Sequence, residues 1–251
     1  MDTDLEYKYV KADRSLGDFI DGFWLLHNQS VVEKEVVILP DGRIDLILSK
    51  AETEPFHIAL LGLETAFSQG IILPNQRMYA ISFKPLATEF LFPGKIADLA
   101  GKGQYLETGF WGFQENELND FEAFQQKVVQ KVQALIPENI DNRKRQLFEF
   151  IYASNGEMTV QELSEKVFWS SRQINRYFKQ QLGISLKTYC NILRFRSSFQ
   201  QIKAGKLFPE QKFADQSHFI KEIKKHSGVS PKELHKNQND RFIQFSILGS
   251  K

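Results

Sequence analysis

Five side chains suited to nucleic-acid recognition, Arg172, Gln173, Asn175, Arg176 and Lys179, share residues 171–182 with Ile174, Phe178 and Leu182. The apolar three recur at helical spacing, so the spacing predicts a helix with one buried face and one polar face. Arginine bonds guanine bidentately, asparagine does the same to adenine, and residues near a helix N-terminus reach deepest into a major groove. The same residues would also serve as the solvated side of an ordinary surface helix.

What separates these readings is a repeat at an offset of 45 residues. It lays Phe178 to Lys187 over Ile223 to Lys232, Gly183 over Gly228, Ser185 over Ser230, Ile174 over Phe219 and Ser170 over Asp215. Each copy reads as an N-capped helix, a glycine that permits a left-handed C-terminal turn, and a serine that caps the next helix. Ser170 has Gln173 three positions on, as a capping box requires, and Pro231 follows Ser230 at the first helical position. Upstream, residues 159–167 present Val160, Leu163 and Val167 on one face and supply the supporting helix of a helix-turn-helix.

Charge supports a polyanionic partner. Residues 141–251 carry 20 Lys and Arg against 10 Asp and Glu, leaving 12 against 21 for residues 1–140. The near-neutral total therefore hides a basic half behind an acidic one.

The segment from Met158 to Gly205 includes Ser170 to Phe178, Gly183-Ile184-Ser185, Tyr189 and Arg194. With Phe213 to Lys221 and Gly228-Val229-Ser230-Pro231, it resembles the DNA-binding domain of the AraC family of transcription regulators. The resemblance covers roughly the last hundred residues. It implies two helix-turn-helix units joined by a long helix over residues 186–204, roughly 28 Å long at 1.5 Å per residue, docking in successive major grooves. By the family pattern Arg172, Asn175 and Arg176 face bases in the first unit, and Gln216, Ser217, His218 and Lys221 in the second. Gln173, Lys179, Lys224 and Lys225 are then expected at phosphates. The second copy departs from the pattern: its support is short, contains Pro209, and has Lys212 where the family has glycine. Base reading, phosphate contact and a structural role all remain open for it.

The elements that must position these groups imply an α+β fold class. A β-rich regulatory domain with flanking helices is expected over residues 1–112, a helical connector over 113–140, the all-α DNA-binding domain over 141–238 and a tail over 239–251. In the first domain the spacing of Leu16, Phe19, Ile20, Phe23 and Trp24 predicts a helix over 15–26. Asp41-Gly42 between two apolar runs predicts a hairpin. Strands are expected over 57–63 and 78–84, and a helix over 115–135. This half resembles, more loosely, a sensor domain, which implies a small-molecule or partner effector of unspecified identity. Phe23, Trp24, Phe83 and Phe92 either line a pocket or form plain core. The alternating tail over 241–248 is expected to pair as a strand with a sheet edge of the N-terminal domain or of a second chain, so a homodimer is open.

No Gly-rich phosphate loop, zinc-spaced Cys/His set or nucleophile elbow is present, so neither enzyme activity nor a cofactor or metal is expected. Cys190 is the single cysteine, and residues 1–6 lack an apolar signal region. With no run long enough to span a bilayer, both features suit a cytoplasmic protein. The alternative to a regulator of transcription is an interaction protein whose helix-turn-helix module binds another protein, which salt-insensitive or absent DNA binding would reveal.

Overall fold

The computed structural model describes residues 4–208, 213, 215–237 and 241–247. A β-rich N-terminal half is followed by a helical C-terminal half. The main sheet has six antiparallel strands in the order β1 (Leu5–Lys11), β2 (Ile20–Asn28), β7 (Arg77–Phe83), β4 (Ile44–Lys50), β5 (His57–Leu61) and β8 (Gly103–Leu106). A second sheet pairs β3 (Lys34–Ile38) with β6 (Ser68–Ile72).

Residues 15–26 are not a helix. Asp13 caps a single 3₁₀ turn, Arg14–Leu16, and the chain then enters β2, a central strand between β1 and β7. A strand covered on both faces is nearly continuously apolar, so its residues also satisfy helical spacing. The expected hairpin is absent as well. Gly42 does take a positive φ, +77°, but β3 and β4 turn away from each other there into different sheets. β7 ends before Pro85 as expected, and β5 stops at Leu61.

One face of the main sheet is apolar. Phe23, Leu25, Ile44, Leu46, Leu48, Ile58, Leu60, Tyr79, Ile81 and Phe83 are buried there. They pack against the short helix α1 (Thr88–Leu91) and against α2 (Phe121–Leu135), which Asp120 caps through the Glu122 and Ala123 amides. Phe83 and Phe92 stand edge to face with centroids 5.3 Å apart inside this core. Of the four candidate pocket aromatics, Phe23, Phe83 and Phe92 are therefore core, and only Trp24 faces a cavity on the opposite side of the sheet.

The same core continues without a break into α3 (Asn142–Ala153), α4 (Val160–Val167), α5 (Ser171–Leu182) and α6 (Leu186–Ser197). The joining helix is not a single rod. α6 passes into α7 (Phe199–Lys203) through Ser198, whose ψ of −11° tightens the turn while its amide reaches both the Arg194 and Phe195 carbonyls. A second core lies beneath α8 (Gln216–Ser227) and α9 (Pro231–Lys236), built from Leu39, Phe195, Phe199, Ile202, Phe219, Ile223, Leu234, Phe242 and Phe245.

The tail supplies two of those phenylalanines. It reaches the N-terminal half as expected, but as one parallel bridge, Phe242 to Val37, followed by the helical turn α10 (Ile243–Ile247). Phe242 and Phe245 both point into the second core, a demand that a strand with alternating faces cannot meet at an odd spacing. Pro209 and Lys212, from which a shortened second support is expected, lie outside the described residues.

Candidate DNA-binding surface

The first helix-turn-helix is built from its caps inward. Thr159 and Glu162 form a reciprocal capping box at the start of α4, as Ser170 and Gln173 do at the start of α5. Between them Phe168 ends α4 in a left-handed conformation, φ 54°, and is 87% exposed. Nothing in the sequence marked this residue, since left-handed backbone is uncommon outside Gly, Asn and Asp.

On α5, Ile174, Tyr177, Phe178 and Leu182 are buried, and Arg172, Gln173, Asn175, Arg176 and Lys179 are all exposed. Three of these side chains also have local tasks. The Gln173 amide oxygen accepts from the Ser170 amide and hydroxyl at 2.9 Å, Asn175 Nδ2 donates to the Ser171 carbonyl at 2.9 Å, and Lys179 Nζ donates to the Gly183 carbonyl at 2.9 Å. α5 contains no carboxylate, so its outer face is uniformly basic and polar.

The two copies end with nearly the same backbone geometry. Gly183 closes α5 at φ 73°, ψ −7°, and Gly228 closes α8 at φ 77°, ψ −9°. Ser185 and Ser230 cap the helices that follow, and Asp215 caps α8 by accepting from the His218 amide at 2.8 Å. On α8, Gln216, Ser217, His218, Lys221, Lys224 and Lys225 are exposed while Phe219 and Ile223 are buried. The His218 ring leans on Phe213, centroids 5.8 Å apart. Lys225 lies 3.9 Å from Glu222, which also sits 3.5 Å from His226 Nε2. Burial of His226, helped by Lys225, lowers its pKa and favours the neutral ring.

Both closing glycines rest on the N-terminal half, a role that their capping function concealed. A β-carbon on Gly183 would stand 2.4 Å from the Ala97 carbonyl oxygen, on the 3₁₀ turn Ile96–Leu99; one on Gly228 would stand 2.7 Å from the Phe67 ring. His226 Nδ1 is 3.1 Å from the Thr65 carbonyl. Further contacts cross the same seam. Glu89 receives both the Tyr177 hydroxyl and the Lys144 ammonium, and the Tyr189 hydroxyl reaches the Gly42 carbonyl at 3.3 Å. Asp21 on β2 bridges Arg43 at 2.9 Å and Arg196 of α6 at 2.6 Å. Burial alone would raise the Asp21 pKa, but the two guanidiniums outweigh it and hold the carboxyl well below the usual range.

Residues 163–237 match the family model described as a helix-turn-helix domain. The C-terminal domain is a helix-turn-helix domain. Residues 8–104 match a separate model, a domain of unknown function. A transcriptional regulator with an AraC-type DNA-binding domain from Chromobacterium violaceum is similar at 20% identity over 39% of this chain and 93% of that one, with a TM-score of 0.33. ToxT from Vibrio cholerae O395, solved with (E)-4-(8-methylnaphthalen-1-yl)but-3-enoic acid, is similar at 13% identity over 93% and 99% of the two chains, with a TM-score of 0.45. Wild-type ToxT of V. cholerae strain SCE256, solved with an unsaturated fatty acid, is similar at 12% identity over 91% and 93%, with a TM-score of 0.38. No curated protein matches the chain. Among the described residues no helix is long and apolar enough to cross a membrane, and no cluster of His, Cys, Asp and Glu is arranged to hold a metal ion.

Proposed function

We propose that this protein is a sequence-specific DNA-binding regulator of transcription that presents α5 and α8 to successive major grooves, and that its N-terminal half takes an effector in the cavity between its two sheets. The observation that carries the DNA reading is the face of α5. Arg172, Asn175 and Arg176 project from a helix whose opposite side is fully buried, with three cations and no carboxylate, whereas a merely solvated face mixes both signs. In this reading Arg172, Asn175 and Arg176 contact bases, as do Gln216, Ser217, His218 and Lys221 of α8. Lys179, Lys224 and Lys225 meet phosphates, and Gln173 does so through the amide nitrogen that its capping bond leaves available.

Selection of bound duplexes from random DNA with the full-length chain tests this reading, and two half-sites rather than one are expected if α8 also reads bases. Against the selected operator, Arg176→Ala loses about 1–3 kcal/mol of discrimination at one base pair, while Lys224→Ala weakens all sequences alike and lowers the salt slope by about one. Equal losses on operator and random DNA for Arg176→Ala would remove base reading by α5.

A further inference from the structure

The main sheet has a second face, and it is unlike the first. Register sets Tyr9 beside Trp24, Tyr7 beside Leu26, and Asp45 between Ser82 and Leu61. Strand alternation turns these residues away from the apolar core, toward β3 and β6. They front a cavity of about 150 Å³ that Ile243 and Gln244 of the tail also line. A cavity of roughly this volume holds a benzene-sized body.

The polar groups around it are oddly matched. Asp45 accepts from the Ser82 hydroxyl at 2.5 Å and from the Trp24 side chain, and Asp41 accepts from the Arg43 amide at 3.0 Å. Neither carboxyl has a Lys or Arg within ion-pair distance among the described residues. The nearby guanidiniums of Arg43 and Arg196 are engaged by Asp21. The Tyr7 hydroxyl, in the field of both acids, is buried and has no hydrogen-bond partner. Burial and the neighbouring Asp41 push the Asp45 pKa up to about 7. A half-buried carboxyl with no ion-pair partner and an unpartnered hydroxyl are each costly, and a donor-rich cation relieves both. Trp24 and the tyrosines add ring faces that attract a cation and repel an anion.

Resting on the reading of this cavity as the effector site, we propose that it binds a small organic cation, an ammonium or amidinium head on a benzene-sized apolar body, with Asp45 as the counter-ion and the Tyr7 hydroxyl as a further acceptor.

Isothermal titration of the full-length protein with benzylamine, benzamidine and phenethylamine, against benzyl alcohol and benzoate, decides the charge. The cations are expected to bind saturably and the neutral and anionic probes at least tenfold more weakly. Asp45→Asn, with its fold checked by circular dichroism, is expected to abolish that preference. Tyr7→Phe, which removes no charge, is expected to weaken the cations severalfold and keep the preference. Benzyl alcohol or benzoate binding as tightly as the amines overturns the cation assignment but leaves an effector cavity. If no probe binds, the cation assignment also falls. If in addition a cavity-filling Ile47→Phe leaves operator affinity unchanged, the effector reading falls with it.

Discussion

Gly183→Ala measures how firmly the N-terminal half seats α5. Two costs combine at this position. A β-carbon at φ +73° pays left-handed strain of about 1–2 kcal/mol. It also meets the Ala97 carbonyl oxygen at 2.4 Å and the Ala100 β-carbon at 2.9 Å, and forcing a methyl into a packed seam costs about 1–3 kcal/mol more. The expected total is about 2–5 kcal/mol. Gly109→Ala supplies the control, because that residue also has positive φ, +88°, with nothing within 4 Å of the added carbon. It is expected to lose only the strain, about 1–2 kcal/mol. The entropy that alanine removes from the unfolded chain is the same in both and cancels. Gly228→Ala is expected to resemble the control, since the atom it meets belongs to the partly exposed Phe67 ring, which can swing aside, rather than to backbone. Urea unfolding followed by far-UV circular dichroism reads all three. If Gly183→Ala is no more destabilising than Gly109→Ala, α5 is not seated on the turn at Ala97 and the rigid seam is wrong.

Asp45 makes stability fall as pH rises. Its carboxyl titrates near about 7 in the fold against an ordinary value of 3.8, so the folded chain holds a proton that the unfolded chain releases between these limits. The stability difference between wild type and Asp45→Asn should therefore change by up to a few kcal/mol between about pH 4 and 7 and be constant above about pH 8; a difference independent of pH refutes the shift. Asp21→Asn removes the one carboxylate that both guanidiniums pair with in the seam and is expected to cost about 3–5 kcal/mol in urea unfolding, whereas a loss under about 1 kcal/mol would mean that the bridge is solvated. Phe242→Ala empties a position that is 1% exposed and should cost about 3–5 kcal/mol, read as a fall in melting temperature; an unchanged value would show that the tail does not complete the second core.

The helical half was legible in the sequence because its information is local. Ser170 with Gln173, Ser185, Asp215 and Ser230 announce helix starts within four residues of themselves, and Gly183 and Gly228 announce ends. The β half was less legible because its decisive partners are remote. β2 pairs with β7 some 55 residues away, and only that pairing shows that Phe23 and Trp24 lie on opposite faces of a strand rather than on one side of a helix. The cavity was invisible for the same reason. Tyr7, Trp24, Asp45 and Ser82 come from four strands, and each has an unremarkable local explanation. Asp41 and Gly42 show how a sufficient local account can hide a tertiary one. The turn signal is real, yet Gly42 matters because a β-carbon there would press on Tyr189 and Leu193 of α6, both at 3.2 Å.

These placements also say where a signal from the cavity can go. Two structures leave its wall toward the helical half. Asp21 holds Arg196 on α6, but Arg43 clamps the same carboxylate from within the N-terminal half, so its position changes little with what lies beside it. The tail is held differently. The Arg241 carbonyl accepts from the Val37 amide at 2.6 Å and Gln244 Oε1 from the Leu39 amide at 2.7 Å, both on one short strand and its exit. Ile243 and Gln244 touch the cavity while Phe242 and Phe245 sit in the core that supports α8. A ligand that displaced the tail would therefore repack the floor of α8. α5, by contrast, rests on backbone at Ala97, which does not line the cavity. If the cavity takes an effector as proposed, this asymmetry makes α8, rather than α5, the helix whose footing the effector would alter.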